Sequence, residues 1–316
     1  MVIIGAGMAG IACARALKSA GVPVRLIDKG RGIGGRVATR RVEVAGDLVT
    51  FDHGTQYLDD SAAAKAIAGF ATGSTGTWDM GGGKRRLVGI PGMSALPKAL
   101  AEGLDVTLAT RMVNVTEEKD GWHIQTETGQ TTATHLVITV PAPQLSPLLG
   151  QEHHLVQSAS KAVFAPCLTL MAVLDADTSA PFVTRRDAAA NLTWIARNDS
   201  KPDRVTGPQT WVAQAHPDWS ARHINNDRDE TKARMAEMLC DVLQVETKRV
   251  QHTGLQGWRY GLVQTPLGRP FLSHGTLWIG GDWCIGGKVQ DAWCSGTAIA
   301  ADLLQHAFLA DATRAG

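Results

Sequence analysis

The stretch VIIGAGMAGIACARALKSAGVPVRLIDKG, residues 2–30, decides the fold of this chain. It predicts a short buried strand, a glycine turn, an alanine-rich helix and a second strand that ends in an acid. Gly5, Gly7 and Gly10 give the spacing G-x-G-x-x-G, and Asp28 follows the second strand. This order of elements is typical of a dinucleotide-binding βαβ unit.

Each of these four residues has a physical role in such a site. Gly5 permits the tight turn, and Gly7 lets the backbone approach a pyrophosphate at the positive end of the helix. Gly10 allows the helix to pack closely on the strand, and the Asp28 carboxylate can accept a hydrogen bond from a ribose hydroxyl.

A second glycine-rich run, DKGRGIGGRVATRR, follows at residues 28–41. Taken alone it is either a basic patch for nucleic acid or a second phosphate cradle. The whole chain has 31 Lys and Arg against 30 Asp and Glu, a net charge of +1, so it lacks the basic excess of a nucleic-acid binder. We therefore expect a phosphate cradle and no nucleic-acid partner.

The length of 316 residues and the ordinary globular composition predict about two domains. The five cysteines include no CxxC pair, the chain begins directly with the first strand, and no apolar run is long enough for a membrane span. We expect a cytoplasmic protein with reduced thiols and no membrane partner. His153 and His154 are adjacent, so they cannot share a helix face, and we expect no metal site.

The tail TLWIGGDWCIGGKVQDAWCSG predicts a strand, a turn at Asp282 and a long helix that starts near Val289. In a doubly wound sheet, ligands bind at the carboxyl ends of the strands, where Asp282 lies. The positive end of this helix would stabilise negative charge on such a ligand. Residues 105–115 and 122–128 alternate like antiparallel strands.

These patterns predict an α/β fold, with a Rossmann-like dinucleotide-binding domain and a second, mixed α+β substrate domain. The run GRGIGGR is similar to the second glycine motif of FAD enzymes, and this resemblance implies that the first domain is an FAD-binding domain of the glutathione-reductase or monoamine-oxidase type. We assign residues 1–60, 92–150 and 262–316 to the first domain, and 61–91 and 151–261 to the second.

The chain resembles the renalase family of the monoamine-oxidase-like flavoproteins over nearly its full length. The motifs that carry the resemblance are IIGAGMAG, DKGRGIGGRVATRR, FDHGTQY, PGMSAL, VPAPQ, WIARNDSKP, DWS and GDWCIGGKVQDAWCSG. The resemblance implies non-covalent FAD, with an arginine, Arg36, on its phosphates; Arg31, Arg40 and Arg41 are either solvated or meet a substrate phosphate. The FAD contacts predicted from the fingerprint and the resemblance together are Gly5, Gly7, Gly10, Asp28, Lys29, Gly35, Arg36, Thr55, Gln56, Met112, Val113, Asp282 and Val289. The corresponding substrate contacts are Tyr57, Gly92, Met93, Ser94, Cys167, Trp258 and Trp283.

The chain departs from the family pattern at three positions. Gln256 and Gly257 replace an expected basic pair in LQGWRYG, and Cys167 replaces an expected threonine. These changes bear on the substrate and leave the flavin site intact.

The resemblance implies oxidation of the 2- and 6-dihydro isomers of NAD(P)H to NAD(P)⁺, with O₂ reduced to H₂O₂. Hydride transfer to flavin N5 needs positioning and no strong base, and the sequence shows no catalytic triad. The alternatives are an amine oxidase or desaturase of the same superfamily, a non-catalytic flavin-binding protein, and a nicotinamide dehydrogenase without flavin. The presence of only two tyrosines argues against a Tyr–Tyr amine cage.

Overall fold

The computed structural model describes residues 1–205 and 207–314, and it describes the side chains of these residues up to 305. Its strands, in chain order, are β1 Val2–Ile4, β2 Arg25–Ile27, β3 Thr39–Val44, β4 Asp47–Asp52, β5 Thr75–Asp79, β6 Arg85–Gly89, β7 Asp105–Thr107, β8 Met112–Glu118, β9 Gly121–Thr126, β10 Gly129–Ala133, β11 Leu136–Ile138, β12 Val163–Leu174, β13 Thr184–Arg186, β14 Leu192–Arg197, β15 Gln209–Ala215, β16 Val250–Thr265, β17 Phe271–His274 and β18 Leu277–Gly280.

Its helices are α1 Met8–Ser19, α2 Ala62–Phe70, α3 Ala95–Leu100, α4 Ser146–Leu149, α5 His154–Ala159, α6 Pro217–His223, α7 Arg228–Leu243 and α8 Val289–Arg314. Among the described residues, no helix is long and apolar enough to cross a membrane.

A six-stranded sheet in the order β17-β18-β11-β1-β2-β7 forms the first layer. β1 is buried on both faces and pairs in parallel with β2 and with β11, as its run of β-branched residues predicts. The chain proceeds from β1 towards β2 on one side and returns to β11 on the other. The carboxyl ends of β1 and β11 therefore form a topological switch point, where open α/β sheets bind ligands.

The expectation of antiparallel pairing over residues 105–115 is wrong for its first part. β7 joins the parallel sheet beside β2, and only the second part, β8, pairs antiparallel with β9. Period-2 alternation reports a half-buried strand in either pairing, so the sequence pattern could not separate the two.

The C-terminal helix packs against the first helix at close range. A Cβ atom on Gly296 of α8 would lie 2.0 Å from the backbone oxygen of Ala9 in α1. Only glycine permits this approach. Because the two helices pack so closely, the start of α8 lies near the glycine turn after β1.

A five-stranded antiparallel sheet in the order β13-β14-β15-β12-β16 forms the second layer. One face packs on α6 and α7 through an apolar cluster that includes Trp211, Trp219 and Leu239. The other face packs on the β3–β4 hairpin through Phe51 and Met171. β5 and β6 form a further hairpin, and β8 to β10 a small sheet. The division into two domains at the residues given above stays a prediction.

Three buried charges fasten β4 to the segment after β14; we call Asp52, Lys201 and Arg204 the Asp52 cluster. Asp52 Oδ2 accepts from Lys201 Nζ at 3.0 Å and from Arg204 Nη2 at 2.6 Å, and all three side chains are at most 1% exposed. Burial raises the pKa of Asp52, but the two cations outweigh it and lower that pKa to about 2. The motif NDSKP thus supplies a cation to a buried ionic network.

The Asp52 cluster is expected to be indispensable to stability. Asp52→Asn leaves two buried cations without their anion and should lower the free energy of unfolding by about 3–5 kcal/mol. Asp60 forms an ion pair with Lys65, and the two side chains are 74% and 72% exposed, so Asp60→Asn should change the free energy of unfolding little. Urea unfolding followed by tryptophan fluorescence measures both; equal effects of the two substitutions would contradict this account.

Candidate functional site

A cavity of about 1140 Å³ lies between the switch point of the first sheet and the second sheet. Its wall includes both glycine turns (Gly7 and Gly35), Asp28 after β2, and Asp282 and Val289 after β18. The sequence predicted that these distant segments converge on one site, and the structure brings them together.

The two glycine turns lie side by side. The backbone N–H of Gly34 donates to Ala6 O at 2.9 Å, and Gly7 and Gly34 form a parallel bridge. A Cβ on Gly35 would lie 3.7 Å from Gly7 Cα, while a Cβ on Gly7 would have no atom within 4 Å. Gly7 therefore presents bare backbone to the cavity at the start of α1, a position suited to a phosphate.

Asp28 binds both turns together. Its Oδ2 accepts from the N–H of Ala6 at 2.7 Å and its Oδ1 from the N–H of Gly30 at 2.6 Å. Because each carboxylate oxygen has two acceptor sites, Asp28 retains capacity for a ribose hydroxyl. Lys29 and Met112 line the same end of the cavity.

An ion pair joins the second glycine motif to the C-terminal turn. Arg36 Nη2 donates to Asp282 Oδ1 at 2.5 Å, and Nη1 donates to the carbonyl oxygens of Tyr260 and Gly261 at 3.3 and 3.2 Å. The Arg36 side chain is 28% exposed and that of Asp282 is 6% exposed. Arg36 therefore ties the sheet of the first layer to β16 of the second.

The segment after β4 passes directly beside Arg36. A Cβ on Gly54 would lie 2.0 Å from Arg36 O, and the N–H of Thr55 donates to that oxygen at 2.9 Å. Gln56 donates through Nε2 to the carbonyl oxygens of Asp52 and Gly54. Its Oε1 accepts from Lys201 of the Asp52 cluster at 3.2 Å, which fixes the orientation of the amide.

An aromatic stack supports this segment from β16. The rings of His53 and Trp258 are 5.3 Å apart and 9° from parallel, and Trp258 Nε1 donates to His53 O. Burial first, and then the positive charge of Arg40, lower the pKa of His53 to about 4. The imidazole is therefore neutral near pH 7. Cys167 lies opposite Trp258 in the β12–β16 register, and both residues line the cavity.

Six of the predicted contacts do not line the cavity: Gly10, Gly92, Met93, Ser94, Val113 and Trp283. Gly10 serves packing, since a Cβ there would lie 1.9 Å from Gly5 O. Val113 is 46% exposed, and the Trp283 indole is buried and donates to Val140 O at 3.0 Å.

The turn at residues 92–94 contacts β3 and β4. The N–H of Met93 donates to Asp52 Oδ1 at 2.9 Å, and the N–H of Ser94 donates to Thr39 Oγ1 at 3.0 Å. A Cβ on Gly92 would clash with the Thr39 side chain at 2.8 Å. The turn therefore buttresses β3 and β4 behind the cavity wall.

A group of residues at the cavity wall near Tyr57 was not predicted from the sequence. Arg186 Nη2 donates to the Tyr57 hydroxyl at 3.2 Å, and its guanidinium lies 5.0 Å from the Trp194 ring centroid. Arg86 lies 6.0 Å from the Tyr57 ring centroid. The residues that line this wall and were not predicted include Asp59, Arg86, Arg186, Trp194, Gln214, Lys288 and Gln290. No local pattern predicts that they come together, because they meet only through tertiary packing. The sequence signal that could have drawn attention to them is the pair of arginines in KRR, residues 84–86, and in TRR, residues 184–186.

The depressed pKa of His53 predicts a pH dependence of stability. Above the unfolded-state pKa of about 6.5, His53 is neutral in both the folded and the unfolded chain. As the pH falls from there towards about 4, the unfolded chain takes up a proton that the folded chain does not, so the free energy of unfolding falls. Between pH 7 and pH 5 the free energy of unfolding should therefore fall by about 2 kcal/mol more in the unaltered chain than in His53→Phe, which keeps a ring on Trp258. Urea unfolding at the two pH values tests this, and identical pH dependences would refute it.

Two family models match the chain. Residues 3–72 match the NAD(P)-binding Rossmann-like domain, and residues 74–304 match the flavin containing amine oxidoreductase family. Among solved structures, a variant of putrescine oxidase has a TM-score of 0.74 at 14% identity, with 96% of this chain and 98% of that chain covered. An Exiguobacterium sp. protein assigned as a protoporphyrinogen oxidase has a TM-score of 0.70 at 13% identity, with the same coverages. At these identities the two structures show the fold alone, and they confirm the predicted fold class.

The cavity fits the cofactor of this family. Bare backbone at Gly7, the Asp28 carboxylate and the Arg36 guanidinium provide the donors and acceptors that a flavin dinucleotide requires. The second family model covers well over half of the chain, so this protein belongs to the flavin containing amine oxidoreductase family, and its cofactor is FAD.

Proposed function

We propose that this protein is a renalase-like oxidase, which converts the 2- and 6-dihydro isomers of NAD(P)H to NAD(P)⁺ with O₂ as the electron acceptor. The FAD held by the glycine turns, Asp28 and Arg36 would supply the redox chemistry: the two electrons and the proton of the substrate hydride, together with one proton from solvent, would reduce O₂ to H₂O₂. The observation that carries the choice of substrate is the charge of the cavity wall.

Positive side chains outnumber negative ones along the described wall. Three aspartates line it, Asp28, Asp59 and Asp282, against seven cations, Lys29, Arg36, Arg86, Arg111, Arg186, Arg259 and Lys288. Lys29, Arg36 and Arg111 lie on the side of the glycine turns and Asp28, and Lys288 pairs with Asp59. Three arginines, Arg86, Arg186 and Arg259, are therefore left for the substrate. Such a field attracts a phosphorylated dinucleotide and repels an ammonium substrate.

The wall also lacks a free base among its described residues, which include no histidine and no glutamate. Asp28 accepts two backbone N–H groups, Asp59 accepts from Lys288 and Gln290, and Asp282 accepts from Arg36. Burial raises the pKa of the Cys167 thiol to about 11, so it stays neutral. A dihydronicotinamide loses a hydride to become an aromatic cation and needs no base, whereas a protonated amine must first lose a proton.

The protein's own contribution is therefore positioning. Thr55, Gln56 and Trp258 are held by backbone and buried contacts, so they form a rigid wall beside Arg36. A flat nicotinamide ring that stacks against the flavin at this wall would be held at short range for hydride transfer.

An amine oxidase is the second candidate, and one observation favours it. The rings of Tyr57 and Trp194 are 5.8 Å apart on the cavity wall, and paired aromatic rings can hold an amine through cation–π contacts. The guanidinium of Arg186 already lies over Trp194, so this pair has a cation of its own.

The purified protein should be yellow, and anaerobic mixing should separate the candidates. The 2- and 6-dihydro isomers of NAD(P)H should bleach the oxidised flavin band, and admission of O₂ should restore it with one H₂O₂ per turnover. Ordinary 4-dihydro NAD(P)H and a panel of amines that includes putrescine serve as comparisons and should bleach it far more slowly. Rapid bleaching by an amine and not by the isomers would establish the second candidate, and no bleaching by any compound would indicate a non-catalytic flavin-binding protein.

A further inference from the structure

We propose that Arg86 and Arg186 form a binding site for a phosphate group in the nucleotide portion of the substrate. This inference rests on the proposed function and specifies where the part of the substrate beyond the nicotinamide ring binds. It concerns a pair of side chains that the FAD contacts leave unused.

The two arginines reach one rim of the cavity from separate hairpins. Arg86 lies on β6 and Arg186 on β13, and both line the cavity wall next to Tyr57. Arg186 donates to the Tyr57 hydroxyl, and Arg86 lies over the Tyr57 ring. Two guanidinium groups around one phenol ring define a small, strongly positive surface.

Neither arginine forms an ion pair with a carboxylate in the described part of the chain, although Arg86 has a longer-range electrostatic interaction with Asp59 and donates one hydrogen bond to the carbonyl oxygen of Arg85 at 2.8 Å. No Asp or Glu oxygen there lies within 4.0 Å of Arg86 or Arg186, whereas Arg185 pairs with Asp187 and Lys288 pairs with Asp59. Asp59 on the same rim is already occupied by Lys288 and Gln290. The pair is therefore available to an anion from solution.

The aromatic contacts hold these side chains in place before a ligand arrives. The Arg186 guanidinium lies 5.0 Å from the Trp194 centroid, and that of Arg86 lies 6.0 Å from the Tyr57 centroid. A planar guanidinium fixed in this way loses little rotamer freedom on binding, and its forked donors match the oxygens of a phosphate.

The chain offers matched controls at the neighbouring positions. Arg85 precedes Arg86 on β6, and Arg185 precedes Arg186 on β13. Successive side chains of a strand point to opposite faces, and neither Arg85 nor Arg185 lines the cavity. Substituting them removes the same charge from the same strand without touching the proposed site.

The test compares three 6-dihydro substrates: the nicotinamide riboside, which has no phosphate, the mononucleotide and NAD. In the holoenzyme, Arg86→Gln and Arg186→Gln should each lower kcat/KM for the two phosphorylated substrates about tenfold or more, the effect of losing one hydrogen bond to a charged group. The change should appear in KM, and kcat/KM for the riboside should stay the same. Arg85→Gln and Arg185→Gln should leave all three values unchanged.

Equal losses for the riboside and the nucleotides, or unchanged values for both cavity variants, would overturn the proposal. If the unaltered enzyme oxidises none of the three substrates, the proposed function fails and the site is judged by ADP-ribose binding, measured from the change in the flavin spectrum. Binding that is weakened by Arg86→Gln and Arg186→Gln but kept in the two controls would support the site. Absence of ADP-ribose binding in the unaltered protein would overturn it.

Discussion

The site depends on the ion pair between Arg36 and Asp282, which joins residues 246 positions apart in the chain. Arg36 lies directly after the second glycine turn, and Asp282 lies just after β18 of the first sheet. The same guanidinium also donates to two carbonyl oxygens of β16. One side chain therefore sets the relative position of the glycine turns, the start of α8 and the second sheet, which together form the FAD cavity.

Two further constraints hold this arrangement from behind. Gly296 brings α8 onto the backbone of α1, so the positive end of α8 faces the cavity near the start of α1. The Asp52 cluster fixes the end of β4 and, through Lys201, the amide of Gln56. The FAD-facing wall is thus built from buried contacts. Substrate recognition is proposed to depend on two other residues of the cavity wall, the half-buried Arg86 and the exposed Arg186.

The nucleotide-binding half was readable from sequence because its signals are local. Gly5, Gly7 and Asp28 act within one βαβ unit, and the strand, turn and helix around Asp282 follow the same rules. Motif resemblance was less discriminating on the substrate side. It predicted substrate contacts at Met93 and Trp283, because a shared motif does not distinguish a residue that contacts a ligand from one that contacts the rest of the protein. In the structure the Met93 N–H donates to Asp52 and the Trp283 indole donates to Val140 O. Arg86 and Arg186 were not predicted, because 100 positions separate two residues whose meeting depends on how two hairpins pack.

The most direct test of the shared FAD cavity is the flavin content of Gly7→Leu. Gly7 has an ordinary φ of −78°, and its Cβ direction meets no atom within 4 Å, so the backbone tolerates a side chain that would project into the cavity. Gly69→Leu on α2 is the matched control, because Gly69 also has open space around it and does not line the cavity. We predict that Gly7→Leu folds with an unchanged circular dichroism spectrum but retains less than about a tenth of the FAD found in Gly69→Leu. A full complement of FAD in Gly7→Leu would contradict it.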